Sequence, residues 1–564
     1  MKKFPLKQNI IRILLAALLF VTAIFAGEAK AEIPAANHTS SYSAVVNTAE
    51  GIREIFPESY WSSLEALLSA HPNWKFRAFY TGLTWDECFT EESELYPTRN
   101  LTVAKKSDGT LYYPSSWYST EITGAYSWAG NAWTGYDSGN WYQSAEEAIK
   151  YCMDPRNFFT EEQIFQFMDN ASALDPEVSA AAVSNIFSTI GVSHWTQSGE
   201  ALNLYYEEGS EKHYLTYAEA VNKVCTELNV NQIIVASRIR QEHAAATSPL
   251  ISGTRSFTLS DGTVINGGYY NYFDIEAGGT GDEIITNGLR EAYKEGWTTR
   301  YKSIYGGAQK YMKTYIDRGQ TTLYSQKFNV DSSSSRLFWG QYMQNLTAPQ
   351  TECRSVYNSI VAAGALDSDF TFVIPVYSGM PDTPSPEPTK DGNPNYKIGS
   401  IYVNGSALEG FDADKTEYSV VFSNTVSEVS LNVLAYASTS TISVGPYSSK
   451  GSLSETLNVI LGDNVYNIVC TAENGDSRTY TIKIHRDGEV VYGDVNSDDV
   501  WDIKDVAIIG SHITGKITLT GSALEAADIN GDGIASIVDV AFLGAYITGK
   551  ISEVPQRSAL TEGN

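Results

Sequence analysis

Lysine and arginine are scarce in this 564-residue chain, 39 against 66 aspartates and glutamates, for a formal net charge of −27. Such an acidic balance argues against nucleic acid or an anionic membrane surface as a partner. Cysteine is scarcer still. Cys88, Cys152, Cys225, Cys353 and Cys470 show no CxxC and no tight spacing, so neither a zinc site nor a disulfide scaffold is indicated, although a single pair such as Cys88 with Cys152 stays open. Cys225 shares a helical face with Val221, Val224 and Leu228 and reads as a buried structural thiol. Beyond the first thirty residues no apolar run is long enough to span a bilayer.

The start of the chain is different. Lys2, Lys3, Lys7 and Arg12 precede an apolar stretch at 13–26, and Ala29-Lys30-Ala31 forms an A-x-A cleavage site. Residues 1–31 therefore read as a secretory signal, which predicts a secreted, extracellular protein with no membrane span once the signal is removed. The remaining length is too great for one core.

Residues 231–243, Asn-Gln-Ile-Ile-Val-Ala-Ser-Arg-Ile-Arg-Gln-Glu-His, organise the middle of the chain. Asn231 can cap a helix, and Val235, Ile239 and Glu242 then share one stripe. A carboxylate at the end of an apolar stripe should have a raised pKa and be able to donate a proton near neutral pH. The alternative is a surface glutamate paired with Arg238, in the weaker Arg-before-Glu order. A Ser/Pro/Gly loop follows, then a hairpin of Phe257-Thr258-Leu259 and Thr263-Val264-Ile265 turning at Ser260-Asp261-Gly262. The aromatic segment Gly267-Gly268-Tyr269-Tyr270-Asn271-Tyr272-Phe273-Asp274-Ile275-Glu276 comes next. Downstream stand Gly296-Trp297, Ser303-Ile304-Tyr305-Gly306-Gly307-Ala308, the run 319–329 and Gln341-Tyr342-Met343-Gln344-Asn345.

Helix, glutamate, hairpin and aromatic segment, in that order, resemble the lysozyme-like endo-β-N-acetylglucosaminidases of glycoside hydrolase family 73 and the glucosaminidase domains of secreted Gram-positive autolysins. The resemblance covers roughly 214–377. It implies cleavage of the β-1,4 bond after N-acetylglucosamine in peptidoglycan glycan strands, with no cofactor for catalysis. Glu242 is then the proton donor, and the second group is Asp274, Glu276 or Asp282, with Glu276 preferred. Tyr269, Tyr270 and Asn271 would line the cleft, with Tyr324 as a further substrate contact. Lytic transglycosylases share the fold and need only one acid. Upstream, the Gly-, Ser-, Trp- and Tyr-dense stretch 117–142 reads equally as a sugar platform or as loops packed by aromatics.

Residues 378–395 hold five prolines with acids and glycine and read as a semi-extended linker. After them the periodicity changes to two, as in Tyr418-Ser419-Val420-Val421-Phe422, Val429-Ser430-Leu431-Asn432-Val433 and Tyr480-Thr481-Ile482-Lys483-Ile484. This predicts a β-sandwich, and it resembles the bacterial cadherin-like modules. No catalytic constellation stands in it.

The C-terminus repeats itself. Asp494-Val495-Asn496-Ser497-Asp498 through Asp505 recurs 34 residues on as Asp528-Ile529-Asn530-Gly531-Asp532 through Asp539, and Ile513-Thr514-Gly515-Lys516 recurs as Ile547-Thr548-Gly549-Lys550. Oxygen ligands at loop positions 1, 3, 5, 9 and 12 suit Ca²⁺. The ligand sets are Asp494, Asn496, Asp498, Asp502 and Asp505, and Asp528, Asn530, Asp532, Ser536 and Asp539, for two calcium ions. Asp499 stands at position 6, where glycine makes the turn, which predicts weaker binding in the first loop. The duplication and the aspartates at position 12 resemble type I dockerins, which implies a cohesin domain as partner.

The expected fold is multidomain: a mainly α lysozyme-like catalytic domain with a small hairpin, a β-sandwich, then a small α calcium-binding dockerin. The expected boundaries are 1–31, an N-terminal domain at 50–205, the catalytic domain at 206–377, the linker at 378–395, the sandwich at 396–487 and the dockerin at 490–552. A non-catalytic adhesion or scaffold-docking protein is the competing functional class.

Overall fold

The computed structural model describes residues 40–94, 99–136, 140–188, 193–197, 199–341, 344–488 and 490–553. The basic and apolar start at 1–31 lies outside them. The chain divides into two compact units, one of Met1–Cys88, Phe159–Gly340 and Cys353–Asp382, the other of Phe89–Phe158, Gln341–Glu352 and Thr383–Asn564.

The elements of the first unit that matter here are β1 (Lys75–Thr84), α1 (Pro176–Ser188), α2 (Tyr217–Leu228), α3 (Gln232–Glu242), β2 (Ser256–Thr258), β3 (Val264–Asn266), α4 (Asp282–Lys294), α5 (Arg300–Thr314) and β4 (Thr371–Ser378). Thr216 and Glu219 close a capping box that starts α2, and Asn229 in the left-handed region (φ 52°) ends it. Asn231 then caps α3, its Oδ1 accepting from the amides of Ile233 and Ile234. Helix α3 is buried along most of its circumference, by Ile233, Ile234, Val235, Ala236, Arg238, Ile239 and Arg240. The expected single apolar stripe is therefore too narrow, since α3 runs through the centre of the helical body.

Strands β1 and β4 pair in parallel from Lys75 with Thr371 to Tyr80 with Val376, and Ser41–Tyr42 adds an antiparallel strand on the other side of β1. β4 is an edge strand, which is why it tolerates Pro375, a residue with no N–H to give. β1 lies before the expected boundary at 205/206 and β4 after it, and the two form one sheet. Residues 89–158, expected within the N-terminal domain, fall in the other unit.

In that second unit the aromatic stretch packs on itself. Trp117, Tyr118, Tyr126 and Tyr142 are buried, with Tyr113 stacked on Trp117 at 4.3 Å and Tyr126 edge-on to Trp133 at 5.0 Å. Between sugar platform and packed loops, these four rings take the second. The proline-rich segment is bound to the same stretch: Trp117 Nε1 donates to Pro388 O at 3.0 Å, Asn157 Nδ2 to Ser385 O at 2.8 Å, Ser116 N to Lys390 O at 3.1 Å and Asn395 Nδ2 to Trp128 O at 2.8 Å. Residues 383–395 are thus a docked strap rather than a free linker. Prolines donate no hydrogen bond, but their carbonyls still accept.

The sandwich has a four-stranded sheet, in which Ile398–Val403 and Glu428–Ala435 are central, and a five-stranded sheet with Ser477–Arg486 and Gly462–Thr471 at its middle. Along Glu428–Ala435 the residues Val429, Leu431 and Val433 point in and their neighbours point out, so a period of two becomes a core. The C-terminal repeat forms two helices, Ile503–Ile513 and Ile537–Ile547, joined by Gly521–Ala527, around Val495, Ile509, Ala526, Ala527, Ile529 and Leu543. Asp502 and Ser536 cap the two repeat helices. All five cysteines are buried, and among the described residues no helix is long and apolar enough to cross a membrane.

Candidate active site

Helix α3 ends at Glu242, where Gln241 is exposed, Glu242 half-buried and His243 buried. The His243 amide closes the last turn on Ile239 O at 3.1 Å. Glu242 thus sits at the boundary between core and solvent, less enclosed than a fully desolvated carboxyl.

Beyond the hairpin β2–β3 the chain folds back as the loop 271–277. Asn271, wholly buried, builds this loop: its Nδ2 donates to Ile275 O at 2.9 Å and Gly288 O at 3.0 Å, and its Oδ1 accepts from Ile275 N at 3.2 Å. Asp274 and Glu276 adopt left-handed backbone, φ 49° and 57°, a conformation that costs a non-glycine residue about 1 kcal/mol or more. The loop brings Asp274 Oδ1 to 3.2 Å from His243 Nε2, one residue along the chain from Glu242. Glu276 points elsewhere, into a cavity of about 1190 Å³ that Asp261, Asn287, Arg290, Tyr293 and Lys294 also line.

The other expected residues sort by burial. Tyr269 is half-buried and its ring lies 5.2 Å from that of Tyr293, which is 39% exposed. Tyr270 is buried, with the Arg300 guanidinium 4.8 Å above its ring. Three of the expected residues are engaged elsewhere. Asn271 spends its amide on the loop backbone. Tyr324 is 1% exposed and hydrogen-bonded to the Tyr377 hydroxyl at 2.6 Å, so it belongs to the core and not to a cleft. Asp282, exposed at the start of α4, is paired with Arg255 at 2.6 Å.

Sequence reasoning missed a buried polar network behind the site. Tyr217 and Tyr272 share a hydrogen bond of 2.6 Å, Tyr217 reaches His194 Nε2 at 2.7 Å, and Arg300 donates to Tyr272, to Ile251 O and to Leu202 O. Burial pushes the Tyr272 hydroxyl up from its ordinary pKa, with Arg300 pulling the other way. No periodicity marks these residues. Tyr293 lies on the cavity wall.

In the C-terminal repeat both ligand sets are oxygen only, and Asp494, Asp505, Asp528 and Asp539 are buried. Asp494 accepts from the amides of Asp498 and Asp499, and Asp528 from those of Asp532 and Gly533, so the two loops wrap their first aspartate alike. In the first loop Lys504 Nζ lies 3.0 Å from Asp498 and 3.3 Å from Asp502; the second loop has Val538 at that place. Among the described residues no three His, Cys, Asp or Glu side chains are closed up as a metal cluster. All-oxygen ligand sets fit a hard divalent cation, more openly in the second loop, which has no lysine at that place.

Comparison with known proteins gives two family matches and a set of relatives. Residues 397–487 match the cadherin-like beta sandwich domain, and residues 492–548 match the dockerin type I domain. Bifunctional autolysins of several Staphylococcus aureus strains are 31% identical over 110 residues, which is 20% of this chain. The chain spans 9% of the length of those relatives. Among solved structures, the major bifunctional autolysin is 18% identical, with 54% of this chain and 98% of that one covered at a TM-score of 0.33. Glucosaminidase B of S. aureus is 17% identical, covering 54% and 94% at a TM-score of 0.34. The chain is multidomain, with a helical body similar to autolysins, then segments similar to the cadherin-like sandwich and to the type I dockerin.

Proposed function

We propose that this protein is a secreted peptidoglycan hydrolase that cleaves the β-1,4 bond after N-acetylglucosamine and is held on a cohesin-bearing scaffold by its dockerin segment. The observation that carries the reading is the meeting of two carboxylate-bearing elements. Glu242 ends the buried helix α3, and Asp274 is brought by the post-hairpin loop to the residue next to it. Glycoside cleavage needs a proton donor for the leaving oxygen and a second carboxylate for the water or the developing positive centre. Glu242 is the donor. Asp274 and Glu276 are the candidates for the second role, Asp274 through its contact with His243, Glu276 through its place on the cavity. Tyr269 and Tyr293 offer a half-exposed aromatic pair against which a sugar ring can pack. The autolysins to which the chain is similar support the same class.

For docking, Asp494, Asn496, Asp498, Asp502 and Asp505 would hold one calcium ion, and Asp528, Asn530, Asp532, Ser536 and Asp539 another. The metal, when bound, offsets the charge of the buried aspartates and so favours the folded repeat. The test of the enzymatic reading is digestion of purified cell walls by the parent and by Glu242→Gln, with the fragments read by mass spectrometry. Reducing-end N-acetylglucosamine released by the parent alone supports it. Reducing-end N-acetylmuramic acid means a muramidase, 1,6-anhydro ends mean a transglycosylase, and wall binding without release means an adhesion protein.

A further inference from the structure

We infer that His243 is a positioning residue that sets the gap between Glu242 and the loop 271–277, an inference that rests on the glycosidase reading above. The His243 side chain has no exposed surface. Its Nε2 hydrogen-bonds Asn271 O at 3.2 Å and lies 3.2 Å from Asp274 Oδ1, so the ring touches both the start of the loop and the carboxylate at its turn. Its Nδ1 is buried and has no hydrogen-bond partner among the described residues. The proton therefore belongs on Nε2, because the other tautomer would bury an unused N–H and face the Asn271 carbonyl with a lone pair. The Tyr272 ring closes the pocket edge-on at 6.0 Å.

The arrangement couples two rigid pieces. Glu242 is fixed by α3, whose last turn includes the His243 amide. Asp274 sits in a left-handed turn tied down by Asn271. His243 is a polar link from the end of that helix to the carboxylate of that turn. Glycosidases depend on the separation of their two carboxyls, and a shift of about 1 Å can cost on the order of 100-fold in rate. A residue that holds this separation should act on turnover and leave substrate binding largely alone.

The test uses the full chain on purified cell walls. His243→Phe keeps the ring volume and removes the donor, whereas His243→Gln keeps an N–H at similar reach. The expected result is a kcat about tenfold lower or worse for His243→Phe, with KM within about twofold, and substantial recovery in His243→Gln. Combined with Asp274→Asn, His243→Phe should cost little more than the worse single variant, since both act through one contact. Should His243→Phe fail to fold, His243→Gln is compared with His243→Asn, whose amide is too short: a faster Gln variant supports the inference, and equal rates overturn it. A His243→Phe enzyme as fast as the parent, beside an inactive Glu242→Gln, overturns this inference alone. A parent that releases no saccharide overturns the glycosidase reading and this one with it.

Discussion

His194 Nε2 and the Tyr217 hydroxyl share a hydrogen bond of 2.7 Å. Burial first, and the nearby Arg300 charge second, lower the His194 pKa from the ordinary 6.5 to about 4. The unfolded chain therefore takes up this proton before the folded chain does. Stability from His194 is complete above about pH 6.5 and is lost as the pH falls towards about 4. Thermal melts between those limits should show a smaller loss for His194→Gln than for the parent; equal losses would show that His194 does not contribute. Some single residues could be read from the sequence and some could not. Asn231 as a cap was legible, because the need is local: an apolar helix with open amides at its start. Asn271 was not, because a buried amide bonding a loop and a cleft-facing amide touching a sugar have the same sequence. Only the positions of Ile275 and Gly288 separate them.

The two aspartate-rich loops show how much one element can differ from its own repeat. Asp499 at position 6 was legible as a misfit, and it does adopt φ 60° where Gly533 has 90°. The structure adds a second misfit at position 4, where Ser497 takes φ 58° and the second loop has Gly531. Lys504 also competes for Asp498 and Asp502. Asp499→Gly should relieve about 1 kcal/mol and tighten calcium binding to the first loop roughly fivefold by calorimetry. Asp528→Ala should cost more of the calcium-induced stability than Asp494→Ala. The reverse order, or an unchanged affinity in Asp499→Gly, would contradict the inequality of the loops. The hairpin and α3 were legible because turn residues and periodicity act over a few residues. The β1–β4 pair was not, because a parallel pairing of residues nearly three hundred apart leaves no local mark.

Across the whole molecule the order of modules was legible from shifts in period and composition, as at Tyr418–Phe422 and at the Asp-rich repeats. Residues 383–395 have a linker's composition and are nonetheless strapped to residues 116–157 through Pro388, Ser385, Lys390 and Asn395. Limited proteolysis of the native protein should spare 383–395, and Trp117→Ala should open it to cleavage; rapid cutting of the parent there would contradict a docked strap. On the proposed reading the proton for the leaving group comes from one carboxyl in all this length, that of Glu242. Glu242→Gln keeps the size of the side chain and removes the proton that the leaving oxygen requires, a loss of about 100-fold or more. The direct measurement is mass spectrometry of the fragments released from purified cell walls by the parent and by Glu242→Gln. The account predicts reducing-end N-acetylglucosamine from the parent and almost none from a variant with the same thermal melt. Equal release by the two would contradict it.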